Sequence, residues 1–251
     1  MFGYTLLCLI HKIVQLRARY PDKIIWIRKE DAKSAYHRVH VNAKTALKTA
    51  LQLEIDGKEY ILISLRLPFG GLPYPANFCL ISDLITDAIN DLMNCKSWNP
   101  KSVHSDYLSK IPMQKQLNDN IPFATACKLS IPLEEKDTCK ADVFVDDVIS
   151  IAVDIGDNLD CVKAAPCTIM HAMAHNNNGE TFIPRQNFIA DDKNEAEGAP
   201  EEKKIVLGWE LNSRQLLVSL PIHKYKAWSS QVSSFVTRKS ASSKDLRSVL
   251  G

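Results

Sequence analysis

Two adjacent carboxylates, Asp146 and Asp147, interrupt the apolar run Val143-Phe144-Val145-Asp146-Asp147-Val148-Ile149. A third, Asp31, follows the β-branched and aromatic run Lys23-Ile24-Ile25-Trp26-Ile27 and is preceded by Glu30. Carboxylates at the ends of apolar strands could hold hard divalent cations, because magnesium prefers oxygen ligands and takes one or two protein carboxylates per ion. Plainer uses exist for each. An Asp-Asp pair suits a tight, solvated hairpin turn. An Asp ahead of Ala32-Lys33-Ser34-Ala35-Tyr36 suits a helix N-cap.

A second set of possible ligands is Cys167, His171 and His175, spaced i, i+4 and i+8 on one face of a helix read over residues 158–175. A catalytic HExxH pattern needs Glu after the first His, and position 172 is Ala. One straight helix also supplies a tetrahedral zinc site poorly. This set reads as an ordinary helix face.

The elements that must position the carboxylates follow from periodicity. Leu6, Ile10, Ile13 and Val14 predict an amphipathic first helix, broken at Pro21-Asp22. The run 23–27 predicts a buried strand ending at Glu30-Asp31. Residues 47–55 and 58–65 predict two strands joined at Asp56-Gly57, a strong hairpin signal. Pro68-Phe69-Gly70-Gly71-Leu72-Pro73-Tyr74-Pro75 reads as a rigid turn, and residues 76–93 as a helix carrying Phe78, Ile81, Leu84, Ile85 and Ile89. Residues 95–140 are polar and irregular and read as an insertion. Residues 141–153 return to strand character. Residues 188–203 read as a charged loop. A closing hairpin is expected from 205–211 and 215–220, turned at Asn212-Ser213. Hairpins mixed with helices, without regular βαβ alternation, indicate an α+β fold.

Composition sets the outer limits. The chain has 251 residues, 45% hydrophobic and 24% charged, with a formal net charge of +2. That charge favours a polyanionic partner only if the basic residues cluster. Lys224, Lys226, Arg238, Lys239, Lys244 and Arg247, interleaved with Tyr225 and Trp228, form such a cluster. They could track a nucleic-acid backbone or simply make a solvated face. The seven cysteines form no CxxC pair. This argues against a disulfide framework or a cysteine zinc site, and for an intracellular compartment, cytoplasmic or nuclear. The apolar segment 4–10 lacks a basic lead and a cleavage site and is too short to span a bilayer, so neither secretion nor a membrane partner is expected.

Taken together, the motifs resemble a family. Asp31-Ala32-Lys33-Ser34-Ala35-Tyr36 resembles the first palm motif of reverse transcriptases, an Asp with an aromatic residue five positions on. Leu67-Pro68-Phe69-Gly70-Gly71-Leu72-Pro73-Tyr74-Pro75-Ala76-Asn77-Phe78 resembles the second. Phe144-Val145-Asp146-Asp147 resembles the third, an aromatic-X-Asp-Asp hairpin. Leu207-Gly208-Trp209-Glu210-Leu211, followed by Leu220-Pro221, resembles the hairpin that grips the primer. The order is that of retrotransposon enzymes, and the likeness runs along nearly the whole chain.

The resemblance implies a polymerase palm: an antiparallel sheet with packed helices, partial fingers, and a chain truncated before the thumb. The first half of the palm and partial fingers would occupy residues 1–94. The irregular insertion would occupy 95–140, the second half of the palm 141–222, and the basic start of a thumb 223–251. It implies RNA-directed DNA synthesis with two Mg2+ ions (Mn2+ could substitute) held by Asp31, Asp146 and Asp147. Partners would be an RNA or DNA template with its primer, and deoxynucleoside triphosphates. Ala35, Tyr36, Phe69, Gly70 and Lys193 would bind the nucleotide, with Tyr36 beneath the sugar and Lys193 near the triphosphate. Leu207, Gly208 and Trp209 would bind the primer. The chain departs from the pattern upstream, where triphosphate-binding fingers are expected, and downstream, where neither a full thumb nor ribonuclease H follows. Two alternatives stand beside this reading: a non-catalytic retroelement remnant that binds nucleic acid, and a metal-dependent phosphohydrolase using the same carboxylates.

Overall fold

A computed structural model describes residues 4–67, 74–126, 137–174, 188–238, 242–244 and 247. Phe69, Gly70, His175 and Lys239 lie outside the described residues. In chain order the elements are α1 (Thr5–Arg19), β1 (Ile25–Asp31), α2 (Ala43–Lys48), β2 (Leu51–Ile55), β3 (Lys58–Leu62), α3 (Tyr74–Met93) and α4 (Asp106–Ser109). There follow β4 (Cys139–Phe144), β5 (Asp147–Val153), α5 (Asn158–Ala174), α6 (Asp191–Glu197), β6 (Lys203–Val206), β7 (Trp209–Asn212), β8 (Leu217–Ser219) and α7 (Ile222–Thr237). The expected α+β class holds.

The centre is an antiparallel sheet in the order β1-β5-β4. Side chains alternate across a sheet, and here each face has its own core. Ile25 and Ile27 of β1 and Ile149, Ile151 and Val153 of β5 meet Leu9, Ile13 and Leu16 of α1, together with Val206 and Leu211 of the β6–β7 hairpin. On the opposite face Val148 and Ala152 of β5, with Cys139, Ala141 and Val143 of β4, meet α3 and α5. In α3 the buried residues Tyr74, Phe78, Ser82, Ile85, Ile89 and Met93 form one helical stripe. That stripe includes Phe78, Ile85 and Ile89 from the sequence-predicted face. Leu84 lies exposed on the other side. β4 is an edge strand, and α3 covers part of its free edge: Asn90 Oδ1 accepts from Ala141 N at 2.8 Å while its Nδ2 donates to Ala141 O at 3.0 Å.

A proline inside α5 explains part of this architecture. Pro166 has no N–H to give to the carbonyl four residues back, and it lies inside the helix. Arg28 of β1 takes that carbonyl, its Nη1 donating to Val162 O at 3.2 Å. Arg28 is 1% exposed and also ion-pairs with Glu30 and donates to Gly198 O and Asn194 Oδ1. One buried guanidinium thus joins β1, α5 and α6.

The polar stretch 95–140 is more tightly attached than its composition implies. Tyr107 is part of the α3–α5 core, with Trp98, Leu108 and Ile111 packed against it. Further on, Lys115 N donates to Pro200 O at 2.9 Å and Ala124 N to Arg214 O at 2.8 Å. Beneath this segment Arg214 makes a bidentate pair with Glu202, both bonds 2.8 Å. Phe123 lies between two guanidiniums, 4.5 Å from Arg17 and 4.6 Å from Arg214.

Three sequence expectations need correction. The 188–203 stretch is not simply a charged loop. Ile189 bridges Ala32, α6 follows with Asp191 and Asp192 in its first turn, where acidic groups suit the helix dipole, and Glu202 is fully buried. The closing hairpin at Asn212-Ser213 forms as β7–β8, but its first expected strand breaks at 207–208, so that β6 extends it into a three-stranded meander, β6-β7-β8. Leu207 and Gly208 make its first turn with φ of 49° and 84°, the positive pair that a tight two-residue hairpin requires. The strand expected from 47 starts at Leu51, because Asn42 caps a short helix by accepting from Thr45 N at 2.9 Å. The Asp56-Gly57 turn forms as expected, with φ of 50° and 72°.

Two elements present apolar side chains outward. β2 and β3 are exposed along their full length, and α7 has no buried residue, leaving Tyr225 and Trp228 exposed. Among the described residues no helix is long and apolar enough to cross a membrane.

Lys204 of β6 provides a pH test of this packing. It is 5% exposed, its Nζ donating to Ala199 O at 2.8 Å. Burial pushes its pKa from 10.5 down to about 8, against the pull of Glu201. Between those values the unfolded chain holds a proton that the folded chain has lost, so stability must rise with pH across that window. The full difference is about 3 kcal/mol. Urea midpoints compared at both ends of the window should show the rise, and Lys204→Met should remove it.

Candidate active site

Asp31 and Asp147 are cross-strand partners at the ends of β1 and β5. Directly opposed residues of an antiparallel pair share one face, with Cβ atoms about 5 Å apart. Asp146 is the second residue of the two-residue turn between β4 and β5, whose last pair is Phe144 with Asp147. The turn is held under strain. Val145 has a φ of 59°, an outlier for a β-branched side chain that costs about 1–3 kcal/mol and persists only where surrounding structure enforces it. The enforcing contacts are visible: Ala32 N donates to Asp146 O at 3.0 Å, and Thr5 Oγ1 of α1 donates to Val143 O at 2.8 Å. Asp31 and the distant Asp146-Asp147 pair are therefore gathered at one end of the central sheet.

The electrostatics match that gathering. Burial raises the pKa of Asp146, and the Asp31 charge raises it further. Burial likewise raises Asp147, with Lys29 pulling the other way and Asp146 and Asp31 adding to the rise. Like charges in a partly desolvated site oppose one another's ionisation, and a cation would relieve them. Nearest is Lys193, whose Nζ donates to Asp31 Oδ1 at 2.7 Å. That bond raises the lysine's own pKa.

Lys193 is brought there by backbone. Lys33 N donates to Phe188 O at 2.7 Å and Ala190 N to Asp31 O at 3.0 Å. These bonds start α6 beside the end of β1. Asn194, the next residue, is buried and held by Arg28 at 3.2 Å. Lys29, two residues before Asp31, pairs with Glu197 at 2.5 Å. Sequence reasoning placed Lys193 near the site but missed Lys29, Arg28 and Asn194. The signal was present for Lys29, which shares Asp31's face by strand alternation.

The other sequence-predicted residues are placed as follows. Ala35 is buried and Tyr36 half-buried in a 3-10 turn just after Asp31. The Tyr36 ring lies 5.3 Å from the Phe78 ring, tilted by 35°. Burial raises its pKa, with smaller contributions from Cys79 and Asp146. Leu207, Gly208 and Trp209 form the tip of the β6–β7 hairpin. Trp209 is 40% exposed, and Lys224 of α7 donates to Gly208 O at 3.4 Å. Cys167 is a core residue whose thiol donates to Glu30, and His171 stands edge-on to Tyr107 at 6.3 Å.

Whether the residues fit a metal has a two-part answer. The donor set suits a hard cation: carboxylate oxygens, partly buried, with two of them raised in pKa. Yet among the described residues no three His, Cys, Asp or Glu side chains converge closely enough to hold an ion. Asp31 Oδ1 is turned to Lys193. Magnesium completes its shell with water and substrate phosphates and needs only one or two protein carboxylates, so the Asp31–Asp147 pair with Asp146 alongside could serve.

No family model and no curated protein matches the chain. Solved structures do. The foamy viral protease-reverse transcriptase dRH in complex with ds DNA is similar over 90% of this chain and 26% of that chain, with 13% identity and a TM-score of 0.50. The foamy viral protease-reverse transcriptase in complex with RNA/DNA hybrid is similar over 90% of this chain and 20% of that chain, with 15% identity and a TM-score of 0.49. This chain therefore spans about a quarter of the length of the first. At such identity the likeness concerns the fold, which is reverse-transcriptase-like.

Proposed function

We propose that this chain is the catalytic palm of an RNA-directed DNA polymerase of retroelement type. The observation that carries the proposal is the pairing of Asp31 with Asp147 beside a strained turn bearing Asp146, in a reverse-transcriptase-like fold. Bound Mg2+ would activate the primer 3′-hydroxyl and hold the triphosphate. The protein's own part is to fix two carboxylates at strand ends and a third on the β4–β5 turn, with Lys193 next to Asp31 as a cation for phosphate oxygens. Tyr36 would support the incoming sugar. Phe69 and Gly70, outside the described residues, would shape the nucleotide pocket. Leu207, Gly208 and Trp209 would hold the primer, and the exposed Tyr225 and Trp228 of α7, with Lys224 and Lys226 beside them in sequence, would stack and pair along the nucleic acid.

A second reading, nucleic-acid binding without catalysis, draws on the lack of convergence of the three carboxylates. Incubation of the chain with a primed RNA template, Mg2+ and deoxynucleoside triphosphates separates the readings. Elongation of the primer supports the polymerase. Duplex retention without elongation supports the binding protein. Phosphate release from small esters with no primer present would contradict both and favour a phosphohydrolase.

A further inference from the structure

The carboxylate strand and α6 face each other through two ion pairs. On β1, Lys29 and Asp31 share a face at i, i+2. On α6, Lys193 and Glu197 share a face at i, i+4. The charges are crossed: Lys193 meets Asp31 at 2.7 Å and Glu197 meets Lys29 at 2.5 Å. The Lys193 rung takes the Oδ1 oxygen of a residue assigned above to metal binding. The other rung lies one residue beyond it on the same strand face and touches no such residue.

The two rungs also differ in how firmly they are anchored. The backbone of α6 is tied to β1 by Ala190 N to Asp31 O and through Asn194 to Arg28. The Lys193 side chain itself is 58% exposed, so it can swing into solvent while the helix stays in place. Asp31 beneath it is 9% exposed. A mobile cation thus rests on a fixed, buried anion.

We infer that Lys193 is an exchangeable counter-cation, which competes with a divalent ion for Asp31 Oδ1 and is displaced to the substrate phosphates when the ion enters. This rests on the reading of Asp31 as a metal ligand. It gives Lys193 a role apart from any contact with the triphosphate: it sets the metal concentration at which the centre loads. Coupling between two sites is reciprocal and amounts to about 5–150-fold in affinity. Removal of this charge should fall inside that range.

Mn2+ binding to the whole chain, followed by loss of the free-ion electron paramagnetic resonance signal without nucleotide or primer, tests this. Lys193→Gln should bind Mn2+ about tenfold more tightly than the unmodified chain, and Lys193→Arg, which keeps the charge, should stay near the unmodified value. Thermal melting of each variant confirms that it is folded. Equal Mn2+ affinity in Lys193→Gln and the unmodified chain, with Asp31→Asn still weakened, overturns the exchange and leaves the metal site standing. If Asp31→Asn binds Mn2+ as well as the unmodified chain, the metal reading falls and the exchange with it.

Discussion

Asp146→Asn is expected to abolish nucleotide addition and to raise the melting temperature in the same protein. The loss should be about a thousandfold or more, as for removal of a group that stabilises charge only in the transition state. The gain in stability follows from the direction of the pKa shift. Burial and the neighbouring Asp31 charge raise the pKa of Asp146 above its ordinary value. In the interval between the ordinary and raised values the folded chain holds more protons than the unfolded one, so stability falls as pH rises through it. Above that interval the ionised carboxylate costs the fold. Neutral Asn removes the repulsion and keeps the shape, for a gain of about 1 kcal/mol, or about 3 °C in a chain of this size. Calorimetry beside an incorporation assay checks both halves. An unchanged or lower melting temperature would show that Asp146 is not held against its neighbours' charge.

Glu202→Gln is expected to produce the largest loss of stability. Glu202 is fully buried and serves two guanidiniums. Arg214 binds it at 2.8 Å through Nε and Nη2. Arg17, also buried, has its pKa lowered by burial, with Glu202 pulling it back up and Arg214 pushing it further down. Without the carboxylate, two buried cations face each other across Phe123. Breaking one side of a buried pair costs about 3–5 kcal/mol. The same carboxylate accepts from Leu117 N at 2.9 Å, and Arg214 donates to Asn118 O and Ile121 O. The loss therefore extends into the 115–124 segment. It also reaches the link between the β7–β8 turn and β1, since Ser213 Oγ beside Arg214 donates to Ile25 O at 2.6 Å. Replacement of both charges by apolar residues, Glu202→Leu with Arg214→Met, should be less damaging than the sum of the two single replacements, because each single replacement leaves the other buried charge without its ion-pair partner. Urea denaturation of the single and double variants gives the comparison.

The sequence made the carboxylates and their elements legible, for reasons that differ from one element to the next. Asp56-Gly57 forms its hairpin because the turn needs two positive φ values and these residues tolerate them. α3 follows its apolar period because one face is buried against the sheet. The Asp146-Asp147 turn was readable as a hairpin, though Val145 at its strained position obeys no local rule and is fixed by contacts from α1 and β1. What escaped was charge in the interior. Glu202, Arg214, Arg17, Arg28 and Glu30 look like solvated residues in any local window, and their burial depends on partners 2 to 196 positions away. The 188–203 stretch was read as a loop for that reason. The polar stretch 95–140 looks loosely attached because many of its anchors are backbone groups, which leave no mark on composition. Pro166 would ordinarily argue against a continuous helix. It is tolerated because Arg28 satisfies the carbonyl it frees.

A nucleotidyl-transfer centre at the end of the central sheet depends on Asp31. The most direct measurement is incorporation of one deoxynucleotide into a labelled primer on an RNA template with Mg2+, by the unmodified chain and by Asp31→Asn at equal, confirmed occupancy of the duplex. A primer one nucleotide longer is expected with the unmodified chain and none with Asp31→Asn. Equal extension by both, or duplex bound by the unmodified chain with no extension at all, would contradict such a centre.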